Sequence, residues 1–97
     1  MDNAKSAAIV ERDKKVVAPC QRLSYYPLVI EKGQGAILTD VDGKEYIDFL
    51  SSASSLNLGS SHPVVTEAIK EQLDHFSQYT CAYTYNEATT SYAERLT

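Results

Sequence analysis

Between Leu28 and Phe49 the chain carries three short runs that suit strands and nothing longer. They are Leu28-Val29-Ile30-Glu31, Ala36-Ile37-Leu38-Thr39 and Lys44-Glu45-Tyr46-Ile47-Asp48-Phe49. Glycine-bearing turns at 33–35 and 40–43 separate them, and connections this short predict a small antiparallel meander. Gly43 closes the acidic turn Asp40-Val41-Asp42-Gly43, where a positive φ suits a residue without a Cβ. The chain before and after the meander is read relative to it.

After Phe49 comes Leu50-Ser51-Ser52-Ala53-Ser54-Ser55-Leu56-Asn57-Leu58-Gly59-Ser60-Ser61. Small residues in a row cannot fill a core, but they let a backbone come close to a ligand or another chain. A flexible serine-rich linker is the alternative. Leu50, Leu56 and Leu58 argue against it. His62-Pro63 then opens a helix, with proline at the first helical position. Val65, Ala68, Ile69, Leu73 and Phe76 fall at helical spacing and predict one buried stripe on a helix that ends near Ser77. Gln78 to Tyr85 is irregular and carries Tyr79, Tyr83 and Tyr85. Asn86 can cap a last helix over 87–97. That helix has no stop signal, which leads to the expectation that these residues begin a longer protein.

Ahead of the meander, Asp2 or Asn3 can cap an N-terminal helix that Pro19 would end. Its cluster Glu11-Arg12-Asp13-Lys14-Lys15 reads as a solvated face. Ser24-Tyr25-Tyr26-Pro27 is extended, because proline excludes the helical region for the residue before it. One of the two rings is expected on a core and the other on the surface, with a ligand-contacting tyrosine as the second reading.

The charge balance, nine basic against thirteen acidic residues and a net −4, argues against nucleic acid or an anionic membrane as partner. No apolar run nears the ~20 residues of a membrane helix, and the first residues lack the pattern of a secretory signal. Cys20 and Cys81 lie in no metal-type spacing and read as two buried free thiols of a reducing compartment. The expectation is a soluble, cytoplasmic protein of a single domain at most.

Three readings compete for Asp40-x-Asp42-Gly43. An EF-hand loop fails, because Lys44, Glu45 and Ser51 fall where an oxygen ligand, a glycine and a glutamate are needed. A haloacid-dehalogenase-like phosphatase would use Asp40 as nucleophile and Asp42 as acid. Lys44 replaces the small residue usual there, however, and Tyr46-Ile47-Asp48 reads as the return strand of a hairpin. A structural turn is the reading kept. His62 and His75 have no carboxylate or cysteine at ligand spacing, and neither forms a recognisable pair with a nucleophile.

The order of these elements carries further information. Asp40-Val41-Asp42-Gly43-Lys44-Glu45-Tyr46-Ile47-Asp48-Phe49, then Asn57-x-Gly59, His62-Pro63-x-Val65 and the Ala68-Ile69 helix together resemble the N-terminal region of class III aminotransferases. These pyridoxal-phosphate enzymes include the 4-aminobutyrate, ornithine and acetylornithine aminotransferases. The likeness runs from about Tyr25 to Thr97 and covers only the opening part of such an enzyme. It implies an α+β N-terminal segment (helix, small antiparallel meander, helices) of a fold-type I pyridoxal-phosphate-dependent transferase. Residues 1–20 would form an N-terminal helix or arm, 21–60 the meander and active-site approach of the small domain, and 61–97 helices leading into the large domain.

Ser51-Ser52-Ala53-Ser54 is most similar to the ornithine aminotransferase and amino-acid 2-epimerase branches. The position matching Ala53 lines the substrate pocket in the family, and a small residue there leaves room. Tyr25 and Tyr26 fall near a region that contributes a substrate-contacting tyrosine in some members. One departure is Ser60, where the family usually has histidine. The Schiff-base lysine, the aspartate on the cofactor ring and the phosphate loop of the family lie beyond residue 97. No catalytic residue is therefore assigned here, and none of Lys5, Lys14, Lys15, Lys32, Lys44 or Lys70 takes that role. The implied activity is transfer of an amino group from an amino acid to a 2-oxo acid by a homodimer. A racemase or epimerase of the same family and a non-catalytic interaction fragment are the alternatives.

Overall fold

The computed structural model describes residues 2–21 and 26–97. It divides into two units, Met1–Pro63 and Val64–Thr97. In the first, helix α1 (Ala4–Val16) and a 3₁₀ turn (Pro19–Gln21) precede strands β1 (Ile30–Gln34), β2 (Ile37–Asp40) and β3 (Glu45–Ile47). The strands form one antiparallel sheet in the order β1-β2-β3. The meander is therefore as read, but its first strand sits further along the chain. It starts at Ile30, carries an irregularity between Ile30 and Lys32, and runs through Gly33 to Gln34.

The reversal falls on Gly35, at φ +57°, rather than on Gly33. Gly33 has a different job. A Cβ placed on it would lie 2.7 Å from Ser60 Oγ and 2.9 Å from Leu38 Cδ2, so its bare backbone makes room for a neighbouring loop. Gly43 closes the next turn at φ +88°, the conformation expected of it.

Asp40 organises that turn. One carboxylate oxygen accepts from the Asp42 and Lys44 N–H groups at 3.0 and 2.9 Å, and the other from the Tyr46 hydroxyl at 2.9 Å. Only 4% of Asp40 is exposed. Asp42 faces the other way, towards the start of α1. Its carboxylate accepts from Lys5 N–H at 3.0 Å, Ser6 N–H at 3.0 Å and the Ser6 hydroxyl at 2.6 Å. The helix was expected to be capped by Asp2 or Asn3. Asn3 holds the cap position but makes no side-chain cap bond, and Asp2 reaches only Ala4 N–H. The orphan N–H groups at the start of α1 are satisfied by a carboxylate from the hairpin. Both acids of the motif are thus spent on structure.

Burial tends to raise the Asp40 pKa, but the bonds from Lys44, Tyr46 and Asp42 outweigh it and the net shift is downward. For Asp42 the Ser6 hydroxyl bond comes first and exceeds the effect of burial, again lowering the pKa. A folded-state pKa below the ordinary 3.8 means these contacts contribute their full stability above that value. The contribution is lost as pH falls through the lower folded values. Acidification below about pH 4 is accordingly expected to release α1 from the turn. The Lys5 and Ser6 amide chemical shifts report this directly, and shifts that stay flat through the window would exclude it.

The residues that are buried among those described are all polar: Ser6, Asp40 and Ser60. No described apolar side chain is buried. In the second unit, α3 (Pro63–Leu73) begins on its proline as expected, and α4 (Glu87–Leu96) is capped by Asn86, whose side chain accepts from Thr89 N–H at 2.9 Å. The stripe Val65, Ala68, Ile69, Leu73 and Phe76, expected to be buried, is exposed throughout. Helix α3 also ends before Ser77, because Asp74 and His75 N–H turn to the carbonyls three residues back. Cys20 and Cys81 are free thiols as read, but both are exposed.

Candidate functional site

The serine-rich run is neither a linker nor irregular. Ser51, Ser52, Ala53 and Ser54 have φ of 52, 51, 57 and 69°, and Ser52 and Ala53 have ψ of 52 and 46°. They form a single turn, α2 (Ser51–Ser54), wound left-handed. Ser54 and Ser55 N–H donate to the Leu50 and Ser51 carbonyls at 3.0 and 2.9 Å, and the Ser55 hydroxyl bonds Ser52 O at 2.8 Å. An L-residue in this conformation brings its Cβ against the following carbonyl, at roughly 1–2 kcal/mol per residue. Four in succession without a glycine form a locally strained backbone. Such strain persists only where the surroundings over-determine it, and it concentrates at ligand-binding and catalytic sites.

Both ends of the turn are tied to the sheet. At the front, Asp48 N–H donates to Ala36 O at 2.8 Å, extending the β2–β3 ladder. The Asp48 Oδ1 atom accepts from Leu50 N–H at 2.9 Å and Ser51 N–H at 2.8 Å. At the rear, Gly35 and Ser60 exchange two backbone bonds of 2.8 and 2.9 Å. Gly59, at φ +84°, approaches so closely that a Cβ on it would lie 3.0 Å from Gly35 Cα. This close backbone approach lies within the chain and is made by two glycines, outside the run Ser51–Ser55. Ser60, which stands where the family usually has histidine, is 9% exposed with its hydroxyl packed over Gly33. A small residue at 60 and no side chain at 33 are matched to each other.

A recess of about 860 Å³ opens beside the turn, lined by Tyr26, Tyr46, Phe49, Leu50 and Ser52 among others. Of the residues singled out from sequence, Tyr26 lies on its wall. Ala53 is exposed on the turn, next to Ser52, without lining the recess. Tyr25 lies outside the described residues. Asp48 and Ser52 were not singled out. The signal for Asp48 was available: aspartate favours bonds from its side chain to N–H groups two residues on, but its place at the end of a strand run hid it.

An Aminotransferase class-III family model matches residues 20–97. The chain is 39% identical over 92 residues to an isoleucine 2-epimerase of Lentilactobacillus buchneri, covering 95% of this chain and 20% of that protein. It is 37% identical over 93 residues to an acetylornithine aminotransferase of Methanosarcina acetivorans, covering 96% and 23%. Among solved structures, acetylornithine aminotransferase from Elizabethkingia anophelis superposes with a TM-score of 0.84 at 34% identity, over 94% of this chain and 23% of that one. A transaminase with PLP bound gives 0.84 at 35%, over 99% and 23%. The chain thus spans about a fifth of the length of the curated relatives it matches.

Proposed function

Since the chain belongs to the class-III aminotransferase family, we propose that it is the substrate-side wall of a pyridoxal-phosphate-dependent enzyme. That enzyme transfers an amino group from an amino acid to a 2-oxo acid. The observation that carries the reading is the left-handed turn Ser51–Ser54, held at both ends and adjoining the recess that Tyr26 shares. In this reading the substrate reaches past the recess to Ala53, exposed on the same turn as Ser52, where a single methyl leaves space for a bulky side chain. Tyr26 contributes the aromatic contact; Tyr25, named with it from sequence, lies outside the described residues.

The cofactor itself is not held by these residues. Its aldehyde needs an amine and its phosphate needs cations or converging N–H groups, and among the described residues neither lysine nor arginine lines the recess. Those contacts belong to other parts of the fold. The exposed apolar residues of the described chain support covering by such parts and by a second subunit of a homodimer. Free thiols at Cys20 and Cys81 support a reducing, cytoplasmic setting.

Racemisation or epimerisation of an amino acid is the second reading, favoured by 39% identity to the isoleucine 2-epimerase. One experiment separates the two. The whole enzyme, supplied with pyridoxal phosphate, is given L-amino acids including isoleucine, alanine and ornithine, with and without a 2-oxo acid. A new amino acid formed only with the acceptor is the expected result. Inversion at the α-carbon without an acceptor would establish the second reading, and neither product would sink both.

A further inference from the structure

The backbone changes hand at one peptide, from φ −89° at Leu50 to φ +52° at Ser51. The two N–H groups on either side of that change are the ones Asp48 Oδ1 holds, at 2.9 and 2.8 Å. Asp48 is able to impose a direction because its own N–H is fixed to Ala36 O on the sheet at 2.8 Å. The side chain is half-buried at the end of β3. Nothing in Ser51-Ser52-Ala53-Ser54 favours a left-handed turn by itself, since none of the four is glycine, asparagine or aspartate. The rear tie, through Gly35 and Ser60, fixes where the loop returns and leaves the hand of the turn open.

We propose that Asp48 is a positioning residue for the substrate pocket: by holding the Leu50 and Ser51 N–H groups it sets the left-handed turn and thereby fixes where Ala53 is presented. This rests on the reading above that the substrate reaches Ala53. Without the carboxylate the turn relaxes towards right-handed backbone, and the Ala53 Cβ swings to another direction. Asp48 lines the recess together with Ser52, but its Oδ1 is engaged by the Leu50 and Ser51 N–H groups, so substrate affinity suffers first, through the turn.

The test uses the whole enzyme. Asp48→Ala is expected to raise KM for the amino acid by about tenfold or more while kcat changes by less than about threefold. Asp48→Asn keeps a carbonyl oxygen in place of Oδ1 and is expected to retain near-normal KM. Ser54→Gly, added to Asp48→Ala, makes positive φ easy at one of the four positions and is expected to bring KM at least halfway back. A role in stability alone would lower the melting temperature of Asp48→Ala without moving KM and would gain nothing from Ser54→Gly. Should Asp48→Ala fail to fold, Asp48→Ser, whose hydroxyl reaches one of the two N–H groups, is expected to give an intermediate KM. A crystal structure of the substituted enzyme supplies the readout independent of activity. Right-handed φ at residues 51–54 supports the proposal, and a turn that stays left-handed overturns it, as does an unchanged KM. If the unsubstituted enzyme turns over no amino acid, the functional reading fails while the crystal structure still decides the part played by Asp48.

Discussion

The 97-residue chain in isolation is expected to melt without a cooperative transition. Burial of apolar surface is the main favourable contribution to folding, about 1.5–3 kcal/mol for each fully buried Val, Leu, Ile, Phe or Met. Here Phe49 is 92% exposed, Leu50 70% and Ile47 65%, and no described apolar side chain is buried. Against this stands a backbone entropy cost of roughly 1–2 kcal/mol per ordered residue. The hydrogen bonds around Asp40, Asp42 and Asp48 shape the chain but cannot offset that cost, since each contributes only about 1 kcal/mol net. Calorimetry is the check. A sharp heat-absorption peak from the isolated chain would mean that its apolar faces find enough cover among themselves. The same preparation, mixed with amino acid, 2-oxo acid and pyridoxal phosphate, is expected to form no product.

Gly59→Ala is expected to destabilise the whole enzyme by about 2–4 kcal/mol, combining the left-handed penalty with overpacking. The added methyl would stand 3.0 Å from both Cα and O of Gly35. Backbone atoms already locked in a two-bond bridge to Ser60 cannot give way as a flexible side chain would. Gly43→Ala is the natural comparison. Its φ is similar, at +88°, but nothing lies within 4 Å of the added methyl. Only the conformational penalty of roughly 1–2 kcal/mol applies there. Urea denaturation of the two variants side by side measures the difference. Equal losses would mean that the Gly35–Gly59 approach sustains nothing.

What could be read from sequence was what neighbouring residues decide between themselves. Gly43 in its turn, Pro63 at the first helical position and Asn86 as a cap each solve a problem within four residues. The antiparallel meander follows from short connections, and the displacement of β1 to Ile30–Gln34 follows from something remote. Gly33 stays in the ladder because Ser60 packs over it. The left-handed turn was beyond reach for the same reason. Serine and alanine have no preference for that conformation. The bonds at the change of hand come from Asp48 at the sheet end, while Gly35 across the loop fixes only where the chain returns. The stripe on α3 shows the opposite failure. Its helical period is real, yet the period says only that a face is apolar, and among the described residues nothing buries it. The resemblance of the surrounding motifs named Tyr26 as a residue near a substrate-contacting position, and the structure puts it on the recess wall, while Ala53, named by the same resemblance, owes its position to a backbone that no local rule would have chosen.

The bond from Asp42 to Lys5 and Ser6 joins residues 37 and 36 positions apart, and this fixes an order of events during synthesis. Helix α1 leaves the ribosome ahead of the hairpin, with its leading N–H groups lacking the carboxylate that will hold them. That carboxylate exists only once Asp42 has been added, and it points correctly only once Asp40 has gathered the Asp42 and Lys44 amides and the Tyr46 hydroxyl. A helix made before the hairpin is therefore completed only after it.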